Sequence, residues 1–557
     1  MQQKTNMNRW FPVILICTIF FLYGRTIDYK YVKLDDASLI VDNYEAGFIQ
    51  HLSNIPQAFR QSCFDIPNHY TDKKSYYRPL LILSFMMDAQ VNGALPGMFH
   101  FMNIIYHILA TLLLYFFLRR LQCGPLVAFA LSFLFAIHPA DVHAIAWVPG
   151  RNDMILAIFA LLSFNALWDY YKDNKRRNLV IHLLAFTLAL FSKESGVILL
   201  PLYFLFMWLW QRDLAFYRRK PFIILGYLGI ITIWFFLRRS AMADTNELSR
   251  AGNVFSVLVQ NMNYFALYIG KVLLPMNLNV TPGSNREAIG LGILSAGGVV
   301  FLLSKVKDRR KVIFGVCWFF LFLAPTLLVP DSPAYEHREY LPLIGLLLPL
   351  SQASFFKDFS FGAGKVTYAL LGIYAVLITI TYTRVPVYEN AFTFWKDATR
   401  NTPFEATGDV NLGKIYQEEY EQTHNPLALE KATDYYRKAL DVDSTVKLAN
   451  NNYGAVLYFK GQKDLAAQYF MKEIKLYPHN ADPYQNMGVY YRDKGQPDKA
   501  VPYWQQLIQM NQYYATAYED LLRYYAHVHD TANEKLLSKR YAIIRAEMER
   551  RSPHRDQ

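Results

Sequence analysis

The sequence predicts an all-α protein in two parts, a bundle of membrane-spanning helices followed by a soluble helical solenoid. Residues 1–384 are a succession of long apolar runs, whereas residues 385–557 are polar, rich in tyrosine and lack a run long enough to cross a bilayer. The second part also repeats itself with a period of 34 residues. With 53% hydrophobic and 18% charged residues the chain is not a disordered one, and four cysteines in 557 residues exclude a disulfide scaffold.

The apolar runs predict a polytopic membrane domain, because a spanning helix needs about 20 mostly apolar residues. We expect about eleven spans, near residues 10–24, 98–118, 125–138, 152–170, 179–192, 196–211, 221–237, 288–304, 312–330, 338–354 and 366–383. No small-residue cleavage site follows the first span, so we interpret it as a signal anchor. Residues 255–274 are also apolar, but Asn261, Asn263 and Lys271 favour an interfacial or re-entrant helix there.

Basic residues predict the orientation of this domain. Residues 385–557 carry 22 Lys and Arg against 23 Asp and Glu, so the basic excess of the chain lies in residues 1–384 and is no nucleic-acid patch on the soluble part. Its clusters, at 4–9, 119–120, 172–177, 212–220, 305–311 and 357–365, fall on alternate loops, which marks those loops as cytoplasmic. The other loops and the C-terminal part are expected on the opposite side.

The 34-residue period is that of the tetratricopeptide repeat. Asn452-Tyr453-Gly454 recurs as Asn486-Met487-Gly488, and Phe470 recurs as Trp504. An earlier copy begins near Asn411, and a degenerate copy after Thr516 is expected to act as a cap. Such solenoids bind peptides or partner proteins, with a rigid spacer as the alternative. We therefore expect a transmembrane catalytic domain at 1–384, a linker helix at 385–406 and the repeats at 407–557.

Ionisable groups near hydrocarbon are costly unless they are paired or functional, and most of them gather on the predicted non-cytoplasmic side. Asp35 and Asp36 follow the first span; adjacent carboxylates repel, which suits a general base, although a solvated loop or a helix cap would also explain them. Arg78 precedes an apolar stretch, where it could hold a phosphate with two hydrogen bonds or only reach the headgroups.

Three polar residues share one face of the second predicted span, because spacings of three and four bring His100, Asn103 and His107 together. Hydrogen bonding to a neighbouring helix explains them better than a metal site does.

Further polar clusters follow in the outer loops. Lys193 and Glu194 form a charged pair between two apolar stretches, where a tight turn explains polarity but not opposite charges. The remaining candidates lie in one loop of His138, Asp141, His143, Arg151 and Asp153, and in a segment of Glu336, His337, Arg338 and Tyr340 that a surface ion-pair cluster would also explain. Walker-type glycine loops, GxSxG elbows and metalloprotease motifs are absent from the sequence, so an activated substrate carried in the membrane fits better than a soluble nucleotide.

These motifs, in this order, resemble those of the transmembrane-and-tetratricopeptide-repeat protein O-mannosyltransferases and their bacterial relatives, within the GT-C glycosyltransferase superfamily. The resemblance covers nearly the whole chain and rests on these segments: Asp35-Asp36 with Ile40 and Asn43, Tyr77-Arg78-Pro79-Leu80, His100 with Asn103 and His107, His138-Pro139 with Ala146-Trp147-Val148 and Gly150-Arg151-x-Asp153, Ser192-Lys193-Glu194, and Glu336-His337-Arg338-x-Tyr340-Leu341-Pro342. In one departure, the stretch after His138-Pro139 has His143 where the family usually has an acidic residue, although Asp141 is near.

The resemblance implies a GT-C-type helix bundle and a protein O-glycosyltransferase. A sugar, expected to be mannose, would pass with inversion from a polyprenyl-phosphate donor to a Ser or Thr hydroxyl of an exported protein. Asp35 or Asp36 would be the base, Lys193 and Arg338 would bind the donor phosphate with Arg78 and Arg151 as second choices, and Glu194 would orient Lys193. The other named residues are expected in supporting roles. The repeats would bind the acceptor polypeptide, and no metal or other cofactor is expected.

Three other functions remain open at this point. The enzyme could act on a glycolipid or glycan acceptor; the chain could be a non-enzymatic membrane scaffold that recruits partners through its repeats; or it could be a transporter, the least favoured because its charges gather at one face. We expect a multi-pass protein of a bacterial inner membrane, with its active site and repeats facing the periplasm.

Overall fold

A computed structural model describes residues 8–65, 76–212, 215–242, 254–281, 289–297, 306, 309–328, 334–353 and 364–551. They form two compact units, which are described separately: the first contains most of the chain up to Asn390, and the second contains the chain from Ala391 onward. Within the described residues every regular element is helical, which agrees with the predicted all-α class.

The first unit is a bundle of helices. Those of eight residues or more are α1 (Phe11–Tyr23), α2 (Pro79–Asn92), α3 (Pro96–Arg120), α4 (Pro125–Ala136), α5 (Arg151–Asp173), α6 (Arg176–Ser192), α7 (Leu199–Gln211), α8 (Pro221–Ala241), α9 (Val254–Asn261), α10 (Asn263–Leu273), α11 (Arg310–Leu327), α12 (Tyr340–Leu350) and α13 (Lys365–Arg384). Residues 289–297 are also helical. Shorter helical segments that matter below are Ala37–Asp42, Pro139–Asp141, Val142–Ala146, Val148–Gly150, Glu194–Ile198 and Glu336–Glu339.

Local sequence sets where these helices begin and end. Proline opens α2, α3, α4 and α8, because its fixed φ and missing N–H suit the first turn of a helix. At the other end, Asn174 (φ 52°) after α5 and Arg212 (φ 49°) after α7 adopt the left-handed conformation that turns the chain out of a helix.

Seven helical stretches of the described residues are long and apolar enough to span a membrane: Asn8–Asp28, Pro96–Arg120, Val148–Asp173, Glu194–Gln211, Pro221–Ala241, Arg310–Leu327 and Lys365–Tyr388. A bent pair, Pro125–Ala136 with Pro139–Ala146, makes up to eight. The predicted spans near 179–192 and 338–354 are helical, as α6 with 17 residues and α12 with 11, and both helices are shorter than the seven stretches above. The predicted span near 288–304 lies mostly outside the described residues. The multi-pass membrane domain is therefore confirmed, and the number eleven stays a prediction.

The first unit also contains two short helices that do not span the membrane and one close helix crossing. Residues 254–273 form two short helices, α9 and α10, neither of which is among the membrane-spanning stretches. The helices α11 and α12 cross closely at two glycines, since a Cβ added to Gly345 would lie 2.6 Å from the carbonyl oxygen of Gly315. Small residues at such a crossing let two backbones approach within a membrane bundle.

The second unit is a solenoid of antiparallel helix pairs. It contains α14 (Ala391–Asn401), α15 (Thr407–Thr423), α16 (Pro426–Val442), α17 (Ala449–Phe459), α18 (Lys463–Leu476), α19 (Asp482–Asp493), α20 (Pro497–Met510), α21 (Ala515–His527) and α22 (Thr531–Arg551). From α15 onward the helices form four pairs, and the last pair corresponds to the degenerate copy predicted after Thr516.

One contact recurs in three of these pairs. A glycine of the first helix meets an aromatic ring of the second: Gly413 meets Tyr436, Gly454 meets Phe470 and Gly488 meets Trp504. A Cβ would lie 2.6 Å from the Tyr436 ring at Gly413 and 2.7 Å from the Phe470 ring at Gly454. Two of these pairs, Gly454 with Gly488 and Phe470 with Trp504, are the small and aromatic residues whose 34-residue spacing predicted the repeat.

Candidate active site

The carboxylate of Asp36 binds the backbone of its own loop. Its carboxylate accepts backbone N–H groups from Val32 at 2.6 Å, Leu34 at 2.7 Å and Lys33 at 3.3 Å, and the residue is 1% exposed. Burial raises the pKa of Asp36 to about 6, and the N–H bonds oppose this rise. With its oxygens occupied by the backbone, Asp36 shapes the turn that carries Asp35.

Asp35 has a different environment from its neighbour. It is partly exposed, and its backbone carbonyl accepts the N–H of Leu39 at 2.8 Å as the next helical segment begins. Asp35, Arg78 and Glu194 all lie within electrostatic reach of the buried thiol of Cys63. Burial raises the pKa of Cys63 to about 12; Arg78 lowers it, whereas Glu194 and Asp35 raise it further. Asp35 thus shares the electrostatic surroundings of Cys63 with Arg78 and Glu194.

Glu194 holds Arg78 instead of Lys193. It accepts the backbone N–H of Tyr77 at 2.7 Å and the Nε of Arg78 at 3.1 Å. The prediction that Glu194 orients Lys193 is wrong for a geometrical reason: Lys193 has an extended backbone (φ −159°, ψ 142°), and successive side chains of an extended segment point in opposite directions.

Lys193 pairs with Asp153 instead, with 2.6 Å between Nζ and Oδ1. Burial lowers the pKa of Lys193, Asp153 opposes that change, and Arg78 and Arg338 add to it. The ammonium group is thus close enough to both guanidinium groups to be repelled by them. Three cations from distant segments of the chain therefore share one electrostatic neighbourhood at Lys193.

His337 lies among these cations. Burial lowers its pKa well below the ordinary range, and His143, Lys193, Arg338 and Arg78 lower it further. Its ring is 4.9 Å from that of His143 and 5.2 Å from that of Trp147, measured between ring centroids. Neutral His337 therefore adds no charge to the cluster, while its ring forms part of an aromatic wall.

The neighbours of His337 have separate partners. Arg338 lies over the ring of Tyr335, with 5.7 Å between its Cζ and the ring centroid. Glu336 is buried and accepts the Nζ of Lys271 at 2.9 Å and the backbone N–H of Asn279 at 2.6 Å, and its other oxygen is 3.9 Å from Arg384. Lys271 signalled in the sequence that residues 255–274 are not a regular span, but not that it pairs with Glu336.

Arg151 is not available to a phosphate. It is 0% exposed; Nη1 contacts Asp88 at 2.5 Å, Nε donates to Asn103 at 2.9 Å and Nη2 donates to the Phe99 carbonyl at 2.7 Å. The second-choice assignment of Arg151 to the donor phosphate is therefore wrong, because its donors are used inside the bundle. Asp88 was not among the predicted site residues. It is a lone carboxylate in the apolar run 79–92, and this position indicates that its side chain has a cationic partner.

The polar face of α3 bonds to neighbouring segments. Asn103 donates to the carbonyl of Ile145 at 3.0 Å, and His107 Nδ1 is 2.8 Å from the hydroxyl of Tyr340. His100 is buried, and its ring packs edge-on against Tyr29 at 6.3 Å.

The loop after α4 is fixed in a similar way. The Nε2 of His138 donates to the carbonyl of Val272 at 2.9 Å, while its Nδ1 accepts the N–H of Ala140 at 3.3 Å. Asp141 is fully buried in the same loop. These supporting residues shape the bundle around the cation cluster.

The cationic side chains of this cluster suit an anionic ligand. The carboxylates of Glu194 and Asp153 pair with Arg78 and Lys193, and Arg338 brings a third positive charge. Guanidinium and ammonium groups bind phosphate oxygens, and the fork of a guanidinium suits the geometry of a phosphate ester. Within the described ranges no group of three or more His, Cys, Asp or Glu could hold a metal ion, and the expectation of a metal-independent reaction stays a prediction.

Comparisons with known proteins agree with both parts of the chain. Residues 469–501 match the family model of the tetratricopeptide repeat. Protein O-mannosyl-transferase F38B6.6 of Caenorhabditis elegans is 25% identical over 406 residues, which cover 68% of this chain and 56% of the worm protein. Protein O-mannosyl-transferase Tmtc1 of Drosophila melanogaster is 27% identical over 178 residues, which cover 32% of this chain and 20% of the fly protein.

The resemblance predicted from the motifs is confirmed. The chain spans about half of the worm relative and a fifth of the fly relative. Among solved structures, ArnT from Cupriavidus metallidurans bound to undecaprenyl phosphate aligns with a TM-score of 0.42 and 13% identity, over 86% of this chain and 84% of that one.

Proposed function

We propose that the chain is a glycosyltransferase that moves a sugar, mannose by resemblance, from a polyprenyl-phosphate donor to Ser or Thr hydroxyls of exported proteins. The observation that supports the proposal is the convergence of Lys193 with Arg78 and Arg338, from three distant segments, while Asp35 and Arg78 both lie within electrostatic reach of Cys63. The cations would bind the phosphate of the donor, and the carboxylate would accept the proton of the acceptor hydroxyl.

Each group has one role in the proposed reaction. Asp35 accepts the proton of the attacking hydroxyl, whose oxygen forms a bond to the anomeric carbon. The bond between that carbon and the phosphate oxygen breaks on the opposite side, so the configuration inverts. Polyprenyl phosphate leaves with the electron pair, and the three cations stabilise its growing charge. Asp36 is a positioning residue, since its carboxylate holds the turn that presents Asp35.

The tetratricopeptide unit supports a polypeptide acceptor, because such solenoids bind extended peptides. The distribution of basic loops supports a site on the non-cytoplasmic side, which is the periplasm if the host membrane is a bacterial inner membrane.

The test is transfer itself. The purified full chain is incubated with mannosyl-phosphoryl-polyprenol and, in separate reactions, a Ser- and Thr-containing peptide or a glycolipid, and products are weighed by mass spectrometry. We expect a gain of one hexose on the peptide, and Asp35→Asn should reduce the rate by a factor of about 100 or more. The exposed Asp28, at the end of the helical stretch that precedes this loop, provides the control Asp28→Asn. Hexose gained only by the glycolipid would overturn the acceptor, and full activity of Asp35→Asn would overturn the base.

A further inference from the structure

Polar contacts bind helix α10 to the segment that carries Arg338. The Nζ of Lys271 donates to Oε1 of Glu336 at 2.9 Å. The hydroxyl of Tyr268 donates to the carbonyl of Tyr335 at 3.3 Å. Tyr268 is 0% exposed and Lys271 is 3% exposed. Because buried polar side chains are costly unless they are partnered, this face of α10 depends on its contacts with that segment.

The spacing of Tyr268 and Lys271 explains why both side chains reach one segment. Residues three apart in a helix are neighbours on its surface, so the two side chains lie on the same face of α10. The next residue adds a contact with another loop, since the carbonyl of Val272 accepts the Nε2 of His138 at 2.9 Å. The last turn of α10 is therefore held by two separate loops of the bundle.

The guanidinium of Arg338 itself lies against α10. It is within hydrogen-bonding reach of the Tyr268 hydroxyl. It also lies over the ring of Tyr335, with 5.7 Å between Cζ and the ring centroid. A free arginine side chain loses conformational freedom when it binds an anion, and contacts that hold it beforehand reduce this cost. The two tyrosines thus restrict the orientations that the guanidinium of Arg338 adopts.

Glu336 fixes the backbone from which Arg338 projects. Its Oε1 accepts the Nζ of Lys271 and, at 2.6 Å, the backbone N–H of Asn279. Its Oε2 lies 3.9 Å from Nη2 of Arg384. The side chains of Lys271 and Glu336 are 3% and 2% exposed, so salt in the solvent screens this pair little. One carboxylate thus joins α10, the residues after it and the end of α13, two residues before Arg338.

We propose that α10 is a positioning helix for the phosphate site, in which Tyr268 orients the guanidinium of Arg338 and Lys271 fixes its backbone through Glu336. The inference rests on the proposed function, in which Arg338 binds the donor phosphate. It adds two residues that act through other side chains and contact neither substrate. It also gives a reason for a buried lysine in the apolar run 255–274.

The experiment is a double-mutant cycle between Tyr268 and Arg338. The affinity of the full chain in detergent for undecaprenyl phosphate is measured for the wild type, Tyr268→Phe, Arg338→Met and the double variant. Tyr268→Phe removes only the hydroxyl, and we expect it to weaken binding by about tenfold. In the Arg338→Met background the same change should have no effect, because a residue that acts only through Arg338 then has nothing to position.

A matched control is Tyr264→Phe, at a half-buried tyrosine one turn earlier on α10, which should leave the affinity unchanged. The role of Lys271 is tested by a rescue. Lys271→Met leaves the carboxylate of Glu336 without its closest cation, so both the affinity and the melting temperature should fall. Adding Glu336→Gln removes the uncompensated charge and should restore part of both.

Three results would overturn the inference, and they have different meanings. If Tyr268→Phe binds like the wild type, or weakens binding equally in both backgrounds, the positioning role is wrong while the phosphate site stands. If Arg338→Met keeps the affinity of the wild type, Arg338 is not a phosphate ligand and has no need of positioning. If the wild-type chain binds no undecaprenyl phosphate, the proposed function fails and this inference fails with it.

Discussion

Lys193 and Asp153, 40 residues apart in the chain, form an ion pair with 2.6 Å between Nζ and Oδ1. Asp153 lies in the first turn of α5, and Lys193 follows the last residue of α6. Because these consecutive helices pack antiparallel, the start of one and the end of the other meet at the same end of the bundle. The carboxylate keeps the ammonium charged and aimed in a partly buried place where a lone lysine would tend to lose its proton.

Loss of this partner should make phosphate binding depend on pH. Asp153→Asn removes the group that opposes the lowering of the Lys193 pKa, so Lys193 loses its proton at lower pH. We expect the affinity of the variant for polyprenyl phosphate to fall at lower pH than that of the wild type, over a titration from about pH 6 to 9. Lys193→Met should weaken binding about tenfold at neutral pH and show less pH dependence. Lys172→Met, on an exposed lysine, is the control. Identical pH profiles for wild type and Asp153→Asn would contradict the role of the pair.

Arg151 should matter for stability and not for phosphate binding. Replacing it by methionine leaves Asp88 buried without its cation, which costs about 3–5 kcal/mol. The double variant Arg151→Met, Asp88→Asn should recover part of that loss in thermal unfolding in detergent. The comparison is Arg120→Met, whose partner Asp169 is 38% exposed and whose ion pair should contribute less than about 1 kcal/mol. If the Arg151→Met variant keeps the melting temperature of the wild type but binds phosphate weakly, Arg151 belongs to the phosphate site after all.

The raised pKa of Asp36 predicts that the free energy of unfolding falls as pH rises. Its pKa is raised by burial from 3.8 to about 6, so between those values the folded protein binds more protons than the unfolded chain. The contribution of the protonated group is present at low pH and is lost as pH rises through 6, by about 3 kcal/mol in total. Asp36→Asn should flatten this part of the curve of melting temperature against pH, whereas Asp28→Asn should leave it unchanged. A slope that persists in Asp36→Asn would assign the pH dependence to another group.

The helix crossings of the solenoid should tolerate no added methyl group. In Gly454→Ala the new Cβ would lie 2.7 Å from the ring of Phe470. Overpacking of about 1–3 kcal/mol outweighs the helix propensity gained from alanine, about 1 kcal/mol. The unfolding transition of the repeats, followed by circular dichroism, should therefore move to lower temperature. Gln468→Ala at an exposed position is the control, and Phe470→Leu in the Gly454→Ala background should restore part of the loss.

The fold was largely predictable, because it depends on two strong sequence signals. One is the length of the apolar runs, and the other is the 34-residue period of the repeats. Long apolar runs predict membrane helices wherever they occur, and the spacing from Gly454 to Gly488 and from Phe470 to Trp504 predicts a helix pair directly. The short helices were the difficult cases: α2 has only 14 residues, and α9 and α10 divide an apolar run that resembles one span.

The cationic side chains were predictable only in part, because Lys193 lies within electrostatic reach of Arg78 and Arg338 whereas Arg151 binds inside the bundle. The cost of burying charge identified Arg78, Lys193 and Arg338 from their surroundings in the sequence. It could not show that Glu194 turns away from its neighbour Lys193, since that depends on the extended backbone between them. Nor could it show that Arg151 is saturated, because Asp88 and Asn103 reach it from two other helices.

The crossing of a small residue and a ring occurs three times in the solenoid, at Gly413, Gly454 and Gly488. Each helix pair therefore closes through its own contact and needs its neighbours only to cover its outer faces. Such an array can lengthen or shorten by duplication or deletion of a 34-residue block without redesign of the blocks that remain, so the reach of this unit is free to evolve while the chemistry of the bundle stays fixed.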